Sequence, residues 1–138
     1  MLKILLKTLF IFMMLNLISC SDDKKDSNKD KKTNIAKVFN DNCAECHGIK
    51  GAGLVKDWRK PLADGSYPPP PLNGTAHTWH HSPKSLLRTI NEGGIKFGGK
   101  MPAFKNKLND KEKLALIDYI YDLWPNNIKK IYDEKFKK

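Results

Sequence analysis

Apolar and polar positions divide the chain into five kinds of segment. Leu9 to Leu15 is an unbroken apolar run, preceded by Lys3 and Lys7 and broken by Asn16. It is well short of the ~20 apolar residues that a membrane-spanning helix needs, and a positive start before a short apolar core has the form of a secretory signal. Ser21 to Thr33 contains no apolar residue, so nothing there offsets the entropy of ordering, and a flexible tether is expected. Beyond it, Ile35, Val38 and Phe39 fall at i, i+3 and i+4, which predicts a helix capped by Thr33 or Asn34. Ser82-Pro83 opens a second helix carrying Leu86, Leu87 and Ile90 and stopped by Gly93-Gly94. The third has Asn109 as N-cap, Asp110 in its first turn and Glu112 at the capping-box position. Leu114, Leu116, Ile117, Ile120, Tyr121, Leu123 and Trp124 give it a broad apolar face, and Pro125 ends it. Ile128, Ile131, Tyr132 and Phe136 then recur at helical spacing with lysines opposite. A fraying terminal helix is expected there; packing on the domain or lying on anionic headgroups are the alternatives.

At 138 residues the chain holds one ordinary domain. With 40% hydrophobic and 29% charged residues it is too apolar for full disorder. Its single apolar run excludes a polytopic membrane protein, and three Cys are too few, and odd in number, for a disulfide scaffold. The expected organisation is a signal over 1–19, a tether over 20–33, a domain over 34–125 and a basic amphipathic tail over 126–138.

The cysteines change this picture. Cys43-Ala44-Glu45-Cys46-His47 is the C-x-x-C-H pattern by which c-type haem is attached. Two Cys three residues apart on a helix share a face and can reach one porphyrin, and the adjoining imidazole can turn onto its iron. A redox dithiol or half of a zinc site uses the same C-x-x-C spacing. Zinc would want further ligand pairs, and a thioredoxin-like dithiol would want alternating strands and helices; neither pattern is present. A second axial ligand should lie downstream. Met1, Met13 and Met14 are in the removable segment, which leaves Met101, in Gly99-Lys100-Met101-Pro102. Its thioether would be a soft, neutral ligand that raises the reduction potential relative to two imidazoles.

Pro68 to Gly74 reads PPPPLNG, an extended stretch whose prolines donate no backbone hydrogen bond. Ala76 to His81 holds His77, His80, His81 and Trp79. The segment is expected to be a loop on the propionate side, with Trp79 or one of the histidines donating to a propionate and Trp58 and Arg59 as further candidates. A copper or zinc site or a rival His ligand to the iron are the alternatives.

Helix-CAECH, PPPPLNG, GGKMPAF and a closing amphipathic helix, in this order from Asn34 to Trp124, resemble class I cytochrome c. The likeness is to the bacterial mono-haem group related to the c-type subunit of cbb3 oxidases. It implies an all-α fold of three to five helices around one covalently attached haem c, with thioethers from Cys43 and Cys46. It implies His47 below the haem plane and Met101 above it. It places Phe39 against the last helix, where Ile35 replaces the usual small residue at the crossing. It also implies that the Pro70 carbonyl accepts the N–H of the axial imidazole, or Pro71 if the register slips by one. Leu17-Ile18-Ser19-Cys20 separately resembles a bacterial lipobox, which implies cleavage before Cys20, its diacylglyceryl modification and anchoring at a periplasmic membrane face.

The formal charge of +10 falls to +8 once Lys3 and Lys7 are removed. Export and haem argue against nucleic acid as the reason for it. Lys50, Lys56, Lys96, Lys100, Lys105 and Lys107 flank the expected ligand loops and would steer an acidic redox partner. The expected function is single-electron carriage rather than enzymatic conversion. A haem-based ligand sensor or peroxidase-like enzyme is one alternative. An accessory subunit that admits electrons to an oxidase or dehydrogenase is another.

Overall fold

Helix α1, over 34–42, runs into Cys43, whose N–H still donates to the Phe39 carbonyl at 2.8 Å. One further turn, α2 (Ala44–His47), follows before Gly48 reverses the chain. The computed structural model describes residues 34–137, so the signal-like start, Cys20 and the tether lie outside the described residues. Helix α3 (Pro83–Glu92) starts as its sequence predicts: the Ser82 hydroxyl accepts from the Ser85 N–H, and Pro83 takes the first helical position. Helix α4 (Asp110–Asp122) has the full capping box, with Asn109 and Glu112 each accepting the other's N–H at 2.9 Å. Helix α5 (Asn126–Phe136) follows Pro125 directly. Three short 3₁₀ turns, Ile49–Gly51, Thr78–His80 and Ile95–Phe97, lie in the connections. The described residues contain five α-helices and no strand, the all-α class that the resemblance implies.

Phe39 is fully buried and Leu116 nearly so. Phe39 meets Tyr119 of α4 at a ring separation of 5.1 Å, so α1 and α4 cross where the family likeness puts them. Ile35 is partly buried against the same core. Ile90, Phe104, Leu108, Ile117, Ile120, Trp124 and Tyr132 complete the core.

Two features depart from the sequence pattern. Lys113 is buried: its Nζ donates to Asn91 Oδ1 at 2.9 Å and pairs with Asp110 Oδ1 at 2.8 Å, tying α4 to the end of α3. The fraying expected of the C-terminal segment is not observed. Tyr132 of α5 is 3% exposed and meets Trp124 edge-on at 4.8 Å. The Tyr121 hydroxyl donates to Asp133 at 2.8 Å, and Asp133 also pairs with Lys137. The aromatic surface at the end of α4 gives one face of α5 an apolar surface to pack on, so Tyr132 joins the core, with Ile128 and Phe136 partly buried beside it, while Ile131 stays exposed. Among the described residues no helix is long and apolar enough to cross a membrane.

Candidate functional site

The break between α1 and α2 sets the first part of the site. Cys43 stands at the break, and the N–H groups of Cys46 and His47 both donate to its carbonyl, at 3.1 and 2.8 Å. Cys43, Cys46 and His47 thereby reach one cavity of about 790 Å³. Pro68–Pro70 and Leu72 form a second wall, Leu86 and Ile90 of α3 a third, and Met101 to Phe104 a fourth.

His47 is buried, and its Nδ1 donates to the Pro70 carbonyl at 2.8 Å. This is the Pro70 register, because the Pro71 carbonyl serves the Thr78 hydroxyl at 3.3 Å instead. A carbonyl can only accept, so Nδ1 carries the proton and Nε2 keeps its lone pair. Burial holds the imidazole below its ordinary pKa, against the opposing pull of the Pro70 bond. A neutral ring with Nε2 available is the form in which His binds a metal.

Burial pushes the Cys43 thiol up to about 11, and the neighbouring Cys46 adds to the rise. An exchange centre activates a thiol by the opposite shift, so Cys43 is not an activated thiol. Among the described residues no group of three or more His, Cys, Asp or Glu side chains is placed to hold a metal ion, which leaves zinc or copper at His77, His80 and His81 without support.

Met101 is held from the end of α3. The Gly94 N–H donates to the Met101 carbonyl at 2.9 Å, and the Phe104 N–H donates to the Ile90 carbonyl at 2.9 Å. Gly93 ends α3 at φ 75°, ψ −175°, a conformation almost confined to glycine. A Cβ there would stand 2.5 Å from the Met101 carbonyl oxygen. The helix stop therefore also allows the close approach that sets Met101. Lys100 is in addition ion-paired with Asp64, which links the Met101 segment to the loop of the 60s.

The aromatic and His-rich loop needs a correction. Trp79 is not on the cavity wall; its ring lies over His80 at 3.8 Å and packs against the core. Trp58 and His77 stand on the wall instead, stacked at 4.8 Å, with His81 edge-on to His77 at 5.3 Å. Burial, reinforced by His81 and His80, lowers the His77 pKa. Arg59 pairs with Asp57 and faces a shallower depression on the other side of Trp58 and His77. Sequence reasoning missed Trp124, whose indole N–H donates to the Leu72 carbonyl at 2.8 Å. The available signal was that a buried indole has one donor and must find an acceptor.

Two thiols one turn apart, a neutral imidazole with a free lone pair and a thioether thus border one largely apolar cavity. This donor set fits haem c, which Cys43 and Cys46 would attach and to whose iron His47 and Met101 would be the candidate ligands.

The family model described as "Cytochrome C oxidase, cbb3-type, subunit III" matches residues 30–120, more than half of the chain. The cytochrome c subunit of the quinone alcohol dehydrogenase of Gluconobacter oxydans (strain 621H) is 30% identical over 99 residues. That match covers 67% of this chain but only 18% of the relative's length. No solved structure matches the chain significantly.

Gly93→Ala is expected to lower the unfolding free energy by more than about 2 kcal/mol, since strain and a backbone clash add. Gly98→Ala, also at positive φ but with open space around it, is expected to cost only about 1 kcal/mol. Guanidinium denaturation of the two variants checks the difference; equal costs would mean that the approach to Met101 is not constrained.

Proposed function

We infer that this chain, which belongs to the cytochrome c family described as cbb3-type cytochrome c oxidase subunit III, passes single electrons between redox partners at a membrane surface. Electron transfer is what a cytochrome c domain supports; the ligand set, the partner and the tether are our reading. The observation that carries it is the convergence of Cys43, Cys46, His47 and Met101 on one apolar cavity.

When bound, haem c would supply reversible Fe(III)/Fe(II) cycling. The chain's own residues hold and tune it. Cys43 and Cys46 would attach it through thioethers. His47 offers Nε2, oriented by the Nδ1 bond to Pro70, which makes the imidazole a stronger donor. Met101 offers a soft sulfur that favours the ferrous state over what a second imidazole would give. Leu72, Ile90, Phe104 and Ile120 line the cavity with apolar side chains that would keep water from the bound group. The role is that of a carrier or accessory redox subunit, with no substrate transformed.

The relative is the cytochrome c subunit of a dehydrogenase, which supports a partner that is itself a redox enzyme. Arg88, Lys100 and Lys107 border the cavity, with Ile95 and Phe97 exposed beside them at 72% and 65%. An apolar centre with a cationic rim suits an acidic partner surface. Cys20, read as the acylated residue, would keep the domain on the periplasmic side of a membrane, with residues 20–33 as its lead.

Met101→Ala is expected to abolish the far-red ferric charge-transfer band and to lower the reduction potential, read by a redox-titrated optical spectrum. An unchanged spectrum and potential would move the sixth ligand to a histidine. Electron transfer to an acidic partner should slow steeply between low and physiological salt, because charges farther apart than about 10 Å are screened at 0.1 M; a flat stopped-flow salt titration would refute steering. Cys20→Ala should release the mature protein from membranes on fractionation, and retention of the variant would count against lipid anchoring.

A further inference from the structure

The Pro68–Pro71 run has no backbone N–H with which to fix its own position, yet one of its carbonyls must be placed to within a hydrogen bond of His47. The first residue able to pin it through its own N–H is Leu72, two positions after Pro70. Leu72 is held at both ends: its N–H donates to the Gly51 carbonyl at 2.7 Å, and its carbonyl accepts the Trp124 indole N–H at 2.8 Å. The Gly51 contact is local to the Cys43–His47 turn. The Trp124 contact comes from 52 residues away, at the junction of α4 and α5.

Trp124 is in turn fixed from behind. It is 3% exposed and meets Tyr132 of α5 edge-on at 4.8 Å, and Tyr132 meets Phe136 at 4.9 Å. The Tyr121–Asp133 hydrogen bond latches α5 onto α4, and Lys137, paired with Asp133 within α5, lies over the Tyr121 ring at 3.8 Å. The loop passes this junction so closely that a Cβ on Gly74 would lie 2.9 Å from Pro125 Cδ. Trp124 and all of α5 lie beyond the residues that the family model matches, which end at 120.

We propose that α5 is a strap on the axial imidazole: Tyr132 and Trp124 are positioning residues that hold the Pro70 carbonyl on His47 Nδ1 through Leu72. The proposal rests on the reading of His47 as an iron ligand. A slack Pro70 carbonyl weakens the Nδ1 bond, and the imidazole becomes a poorer donor. Ferric iron depends more on that donation than ferrous iron does, so the potential rises as the strap loosens.

The test uses the full haem-loaded chain in its ferrous state and follows exchange of the His47 Nδ1 proton by NMR, with the reduction potential measured in parallel. Trp124→Phe keeps an aromatic ring but removes the donor. It should speed exchange by at least about tenfold and raise the potential. Tyr132→Leu leaves the indole in place and should move both readouts in the same direction, which covers a Trp124→Phe chain that fails to fold. Phe39→Leu weakens the core away from the Pro loop and should leave both near wild type. Wild-type exchange and potential in either folded strap variant would overturn the proposal. So would equal acceleration in Phe39→Leu, which would make the effect one of global stability. A wild type without the upfield-shifted ring protons of an axial His47 would overturn the ligand reading itself, and the strap with it.

Discussion

The hydrogen bond from His47 Nδ1 to the Pro70 carbonyl is the constraint around which the rest of the site is arranged. It selects one tautomer of a buried ring and leaves the opposite nitrogen as a lone pair. Its acceptor belongs to a chain segment that cannot hold itself in place, because proline has no N–H. An extended proline run presents carbonyls in a stiff row but relies on its surroundings for register. Gly51, Thr78 and Trp124 supply that register from three separate parts of the chain.

Helices and loops divide the work accordingly. The helices build a core at the α1–α4 crossing around Phe39 and Leu116, and extend it through Trp124 to α5. Much of the cavity wall is loop, docked on helix ends. The C-terminus of α3 holds the Met101 segment through Gly94 and Ile90, and the end of α4 holds the Pro segment through Trp124. The Met101 segment and the Pro70 segment are thus both set by the ends of helices.

Charge is distributed with the same economy. Lys113, drawn into the interior, finds Asn91 and Asp110 and joins α3 to α4. Lys96 and Lys100 are paired with Glu92 and Asp64 on the surface, where such pairs contribute little to stability in water.

Local signals were enough for much of this. The helix starts at Ser82-Pro83 and Asn109, the stop at Gly93 and most of the apolar face of α4 follow from capping chemistry and periodicity, which act within a few residues, although Leu114 of that face stays exposed and Lys113 is buried in its place. C-x-x-C-H named the chemistry because spacing along one helical turn is itself geometry. What the chain order could not decide is anything set by contacts distant in sequence. Trp79 lost its place on the cavity wall to Trp58 because the stack on His77 forms across a loop. Tyr132 of the terminal segment became part of the core because it met Trp124 and Tyr121, whose free surface exists only once α4 is packed. Periodicity shows that a residue has an apolar side, but only the folded chain shows what that side will meet.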